Sequence, residues 1–172
     1  KIHKSKIIHR DLKLQNIFLD NKHEPRIADF GSSKVILDKV DMTLYVGTPL
    51  CMAPELFMDT DIVYSYPVDV YAFAFVIYKM FSNSITFPGK KPLRNQQQYM
   101  MKIGNGERPN KPESIPDCYW NLIQNCWKQD PDKRPTFSEI KETLRNDTFA
   151  INEFDMETDL DELHEYQDRI DS

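Results

Sequence analysis

The side chains of this sequence best suited to chemistry crowd near its start. The stretch IIHRDLKLQNIF, Ile7 to Phe18, sets Asp11 and Asn16 five positions apart with Lys13 between them. A carboxylate there can accept or orient a hydroxyl proton. An ammonium can meet phosphate oxygens, and a carboxamide oxygen is a neutral ligand for a hard metal ion. A second carboxylate follows at Asp29, in Asp29-Phe30-Gly31, and offers the charged oxygen that Mg²⁺ prefers. Together these groups suit transfer of a phosphoryl group to an alcohol. That reaction depends on charge neutralisation and in-line positioning more than on covalent chemistry.

Short elements must hold the cluster. NIFLD (Asn16 to Asp20) and PRIAD (Pro25 to Asp29) are apolar runs around the polar turn at 21–24, which predicts two short strands. From Phe30 to Pro54 no period is sustained, so a long ordered loop is expected, and such loops usually carry function. PVDVYAFAFVIYKMF is apolar on all sides and predicts a buried helix, with Asp69 near its N-terminus. After a loop with Pro88, Gly89 and Pro92, Gln96 to Ile103 reads as a surface helix ended by Gly104 and Gly106. Pro116 to Trp127 reads as a helix that DPDKRP breaks. Thr136 and Glu139 then form a capping box for a last helix to about Leu144. The expected body is mainly helical, with a strand pair beside the polar cluster.

Composition bounds the function. The chain has 172 residues, 40% hydrophobic and 28% charged, which suits one globular domain with a sizeable core. The longest apolar run, Val70 to Phe81, is broken by Lys79 and too short to span a membrane. No secretory signal opens the sequence, and Cys51, Cys118 and Cys126 form no CxxC pair. Reduced thiols in an intracellular, cytoplasmic protein are expected. Its four histidines do not complete a zinc site. Residues 1–145 hold 21 Lys+Arg and 17 Asp+Glu, whereas 146–172 hold one Arg and ten Asp+Glu. The end therefore reads as a separate acidic tail, solvated and flexible. Nothing in the body resembles a basic nucleic-acid footprint.

His9-Arg10-Asp11, Lys13 and Asn16, then Asp29-Phe30-Gly31, then Ala53-Pro54-Glu55, in that order, are far more specific than any one motif. Over residues 1–145 the chain resembles the C-terminal lobe of a eukaryotic protein kinase, with Gly47-Thr48, Asp69 and Arg134 also in matching places. The resemblance implies a mainly α fold, a helical bundle with a short β-hairpin at the catalytic site. It implies that Asp11 takes or orients the substrate hydroxyl proton and that Lys13 steadies the γ-phosphate of ATP. Asn16 and Asp29 would hold Mg²⁺, and His9 and Phe30 would pack beneath the site. Glu55 would pair with Arg134, and Asp69 would cap its helix and tie down the catalytic loop. Lys13 and GTPLCMAPE favour Ser/Thr of a protein substrate as acceptor. GTPLCMAPE, DVYAFAFVIYKM and CWKQDPDKRPTFSEI are similar to the tyrosine-kinase-like group. Ser32, Ser33, Thr43 and Tyr45 would lie in the activation segment. Of these Thr43 is the candidate phosphosite, since Arg10 could pair with a phosphate nearby.

The sequence departs from that pattern in places. Ala72 and Ala74 stand where Ser and Gly are more usual, a packing change. Cys51 stands where an aromatic residue is common, which bears on peptide preference. Phe18 replaces a leucine that commonly supports the adenine ring. No Gly-rich loop, VAIK-type lysine or hinge precedes the catalytic stretch. Gly104 to Pro109 (GNGERP) is no substitute, because it follows a helix and lies far after Asp29. The expectation is that the N-terminal lobe is absent from this sequence, belongs to the same full-length polypeptide, and leaves residues 1–172 inactive alone. The alternative is a non-catalytic kinase-like module that binds partners through Phe81 to Lys111 and the acidic tail.

Overall fold

One helix, apolar all round, organises the fold. A computed structural model describes residues 2–35, 49–58, 64–82, 84–88 and 95–145. Thr43, Tyr45, Gly47, Thr48, Gly89, Pro92 and the proposed tail at 146–172 lie outside them. The elements, in chain order, are β1 (Ile7–Ile8), β2 (Ile17–Leu19), β3 (Pro25–Ile27), β4 (Lys34–Val35), α1 (Glu55–Met58), α2 (Pro67–Phe81), α3 (Gln96–Gly104), α4 (Asp117–Cys126) and α5 (Phe137–Leu144).

Helix α2 buries Val68 to Ala72 and Ala74 to Tyr78, as expected of an apolar run without a polar face. Pro67 opens it, where the missing N–H leaves no bond unmade. Helix α4 packs on α2. Trp127, just after α4, meets Phe75 at 5.6 Å and Tyr78 at 6.3 Å between ring centroids. Tyr71 lies under two guanidinium groups, Arg108 at 5.4 Å and Arg134 at 5.0 Å.

The ends of α3 and α5 follow their cap residues. Asn95 accepts a hydrogen bond from the Gln98 amide and starts α3, which reaches Gly104 and buries Tyr99 and Ile103. Gly106, at φ 84°, lets the chain turn away. Thr136 and Glu139 form the expected capping box, and α5 ends at Leu144.

Two small antiparallel sheets complete the fold. In β2–β3, Ile17 faces Ile27 and Leu19 faces Pro25. Asp20 closes the turn by accepting from the Lys22 and Glu24 amides, while Arg26 forks onto it at 2.9 and 2.7 Å. These donors, Arg26 foremost, lower the Asp20 carboxyl below its ordinary value. The other sheet pairs β1 with β4, Ile7 opposite Val35.

Two expectations need correction. The stretch from Phe30 to Pro54 is not loop throughout: β4 pairs back to β1, and 3-10 turns occupy Phe30–Ser32 and Pro49–Cys51. A one-turn helix, α1, follows at Glu55. Asp69 does not cap α2: Tyr66 holds the cap position without a side-chain bond, because the Asp69 carboxylate is engaged elsewhere. Among the described residues no helix is long and apolar enough to cross a membrane.

Candidate active site

Strand β1 runs straight into the loop that carries the polar cluster. Ile8 and Leu12, both buried, anchor the loop on either side. Between them Arg10 adopts φ 66°, a left-handed conformation that costs about 1 kcal/mol or more for a residue with a Cβ. Asp69 holds that turn. Its Oδ2 accepts the His9 amide at 2.8 Å and its Oδ1 accepts the Arg10 amide at 2.9 Å. The Arg10 side chain donates to the Ser32 carbonyl and lies 5.0 Å above the Tyr64 ring.

The chain extends at Lys13 and tightens into a 3-10 turn at Leu14–Asn16, which swings Asn16 back under Asp11. Asn16 Nδ2 donates to the Asp11 carbonyl at 2.9 Å and to Asp11 Oδ2 at 3.2 Å. Lys13 Nζ reaches the same Oδ2 at 2.6 Å. Carboxylate, ammonium and carboxamide therefore converge on one oxygen.

The hairpin carries Asp29 to the same end of the sheet. The Ala28 amide donates to the Asn16 carbonyl at 2.8 Å, one rung beyond Ile17–Ile27. Asp29 follows in a left-handed conformation, φ 62°, and is exposed. A Cβ on Gly31 would stand 3.3 Å from Asp29 Oδ1, so any larger residue there would crowd the carboxylate. Beneath it, the buried His9 ring meets Phe30 at 5.0 Å, edge to face, and its Nε2–H donates to the Ala28 carbonyl at 3.0 Å.

Two residues far along the chain support this end. Arg134 Nη1 and Nη2 donate to Glu55 Oε1 and Oε2 at 2.6 and 2.7 Å, a two-pronged pair with the Arg134 side chain fully buried. Cys51, just before α1, is buried, which pushes its thiol up to about 11. Tyr99 fixes the neighbouring residue by donating to the Leu50 carbonyl at 2.6 Å. Phe18 is 58% exposed on the hairpin.

Residues 1–144 match the protein kinase domain family. The chain belongs to the protein kinase family. Among curated relatives, it is 38% identical over 143 residues to a probable serine/threonine-protein kinase of Dictyostelium discoideum, covering 83% of this chain and 15% of that protein. It is 39% identical over 139 residues to the RGS domain-containing serine/threonine-protein kinase A of the same organism, covering 81% and 12%. A serine/threonine-protein kinase of Arabidopsis thaliana is 34% identical over 143 residues, covering 83% and 24%. The chain thus spans less than a quarter of the length of these kinases.

Sequence reasoning missed His3. Its Nε2–H donates to Asp69 Oδ2 at 2.8 Å, yet a lone histidine in a short turn before β1 has no spacing that announces a partner 66 positions away.

Proposed function

We propose that this chain is the C-terminal lobe of a serine/threonine-protein kinase of the tyrosine-kinase-like group, which transfers the γ-phosphoryl of ATP to Ser or Thr of a protein. The observation that carries this reading is the convergence of Asp11, Lys13 and Asn16 on one carboxylate oxygen. The family membership and the names of the relatives support it.

In this mechanism Asp11 orients the substrate hydroxyl and takes its proton as the oxygen bonds to the γ-phosphorus and the bond to ADP breaks. Lys13, beside the same carboxylate, meets the charge on the transferring group. Asn16 and Asp29 are the residues that would hold Mg²⁺. One carboxamide oxygen and one carboxylate form the sparse oxygen set this ion takes when phosphates and water complete its shell. The Asn16 side chain fits this part, because its nitrogen is turned toward Asp11 and its oxygen is the end left to bind. Held by these two residues, the ion would supply neutralisation of phosphate charge. Residues 1–145 form the lobe and 146–172 an acidic tail, and a preceding lobe of the same polypeptide covers the nucleotide. Among the described residues Cys51, Cys118 and Cys126 form no disulfide, in keeping with an intracellular, cytoplasmic setting.

The test is a phosphotransfer assay on a polypeptide that carries this chain with its preceding lobe, using γ-labelled ATP, Mg²⁺ and a general protein substrate. Label on phosphoserine or phosphothreonine, lost in Asp11→Asn, is expected. No transfer, or transfer that Asp11→Asn leaves intact, would overturn the reading.

A further inference from the structure

A groove of about 380 Å³ lies between the turn before β1 and the starts of α2 and α5. Tyr66, Val70, Pro135 and Phe137 give it an apolar lining, and Lys4 and Lys141 line it from exposed positions. Among the described residues that line it there is no Asp or Glu. Glu139 of α5 accepts from the Thr136 amide and hydroxyl, at 2.7 and 2.8 Å, which commits it to the helix cap. The groove on the α4 side of α5 differs, because Asp132 and Glu139 line it beside its lysines.

The chain itself carries a segment of matching chemistry. Residues 146–172, which follow α5 and Arg145, hold ten Asp+Glu against one Arg. Within them Glu153-Phe154-Asp155-Met156-Glu157 alternates acidic with apolar residues. Laid out extended, such a stretch puts its apolar side chains on one side and its carboxylates on the other. Phe154 and Met156 can then enter the groove while the carboxylates stay in water near the lysines. Reach is ample. At about 3.3 Å per extended residue Phe154 can stand about 30 Å from Arg145, whereas α5 is only about 12 Å long.

We propose that Glu153 to Glu157 dock in this groove, in the same molecule that carries them. Burial of Phe154 and Met156 supplies most of the attraction, since exposed ion pairs contribute little. Lys4 and Lys141 select an acidic occupant and make the contact sensitive to salt. The tether keeps a weak contact occupied by holding the segment at a millimolar effective concentration. The proposal does not depend on the catalytic reading of Asp11.

Lysine acetylation followed by mass spectrometry tests this on the polypeptide used for the phosphotransfer assay. In the parent, Lys4 and Lys141 should react about fivefold more slowly than in a variant with Phe154→Ser and Met156→Ser. That is the protection expected when a segment held at about 1 mM binds with a Kd of roughly 0.25 mM. Lys128, exposed outside the groove, should react alike in both. A synthetic peptide of residues 149–160 at about 1 mM should restore protection in the variant. Lys4→Glu with Lys141→Glu should quicken chymotrypsin cleavage after Phe154. Equal lysine reactivity in parent and variant, or unchanged cleavage in the charge-reversed chain, would overturn the proposal. Protection that fades on dilution would overturn it too, because a second copy would then be supplying the segment.

Discussion

Glu55 and Arg134 join through two parallel hydrogen bonds of 2.6 and 2.7 Å, although 79 positions separate them. Arg134 also donates to the carbonyls of Lys128, Pro67 and Gln129. The guanidinium thus ties the start of α1 to the turn before α5. Its side chain is fully buried and that of Glu55 nearly so, so removing either partner leaves an unpaired charge away from water. Arg134→Ala and Glu55→Ala should each destabilise the domain by about 3–5 kcal/mol. The double variant should cost less than the sum, because both changes break one interaction. Denaturant unfolding of the four proteins measures this, and strictly additive effects would contradict the pairing.

Asp11→Asn and Asp29→Ala should each abolish most phosphoryl transfer and leave the fold in place. Asp11→Asn removes the proton acceptor, a loss of about 10²–10⁴-fold in kcat. Asp29 is exposed on a loop, so its truncation forfeits little packing. Circular dichroism should match the parent while activity falls. Near-normal transfer by either folded variant would mean that the working carboxylates lie elsewhere.

Residues 1–172 by themselves should bind ATP with Mg²⁺ weakly and transfer almost nothing. Phe18 is largely exposed on the hairpin, and the sequence holds no Gly-rich loop to cover the phosphates. Binding without such pre-organisation loses affinity, and misplacement of the reacting groups loses rate. Calorimetry and a turnover assay check both. Turnover of about 1 per second or faster, within the ordinary range for kinases, would refute the expectation.

The elements most legible in the sequence were those that satisfy themselves locally. The apolar run opened by Pro67 marks α2, and Thr136 with Glu139 marks the start of α5, because each pattern lies within the helix it specifies. Strand β4 escaped notice: Lys34–Val35 has only two residues, too few for a period, and its partner Ile7–Ile8 is distant in the chain. The candidate site divides in the same way. Asp11, Lys13 and Asn16 announce themselves by spacing, since one tight turn brings them together. Asp69 and His3 do not. Their partners are chosen by how α2 packs under the catalytic loop: the helix-start position made Asp69 look like a cap, and its tie to the catalytic loop was implied only by the kinase resemblance.

Cys51 offers a test of that packing by pH. Burial raises its thiol from an ordinary 9.0 to about 11, because ionisation would place a charge in the core. Between those values the unfolded chain releases the proton and the folded chain keeps it. Its contribution is therefore fully present below pH 9 and is lost as pH rises toward 11. The slope from this one group is about 1.4 kcal/mol per pH unit across the window. Cys51→Ala should flatten the pH dependence of unfolding free energy between 9 and 11, whatever it does to stability at pH 7. The folded thiol should also resist alkylation at pH 8, whereas the half-buried Cys118 reacts. Mass spectrometry of the alkylated protein distinguishes the two positions. Fast labelling of Cys51 in the native state would show that the residues ahead of α1 open readily, contrary to the close packing of Cys51, Met52 and Ala53 in the core.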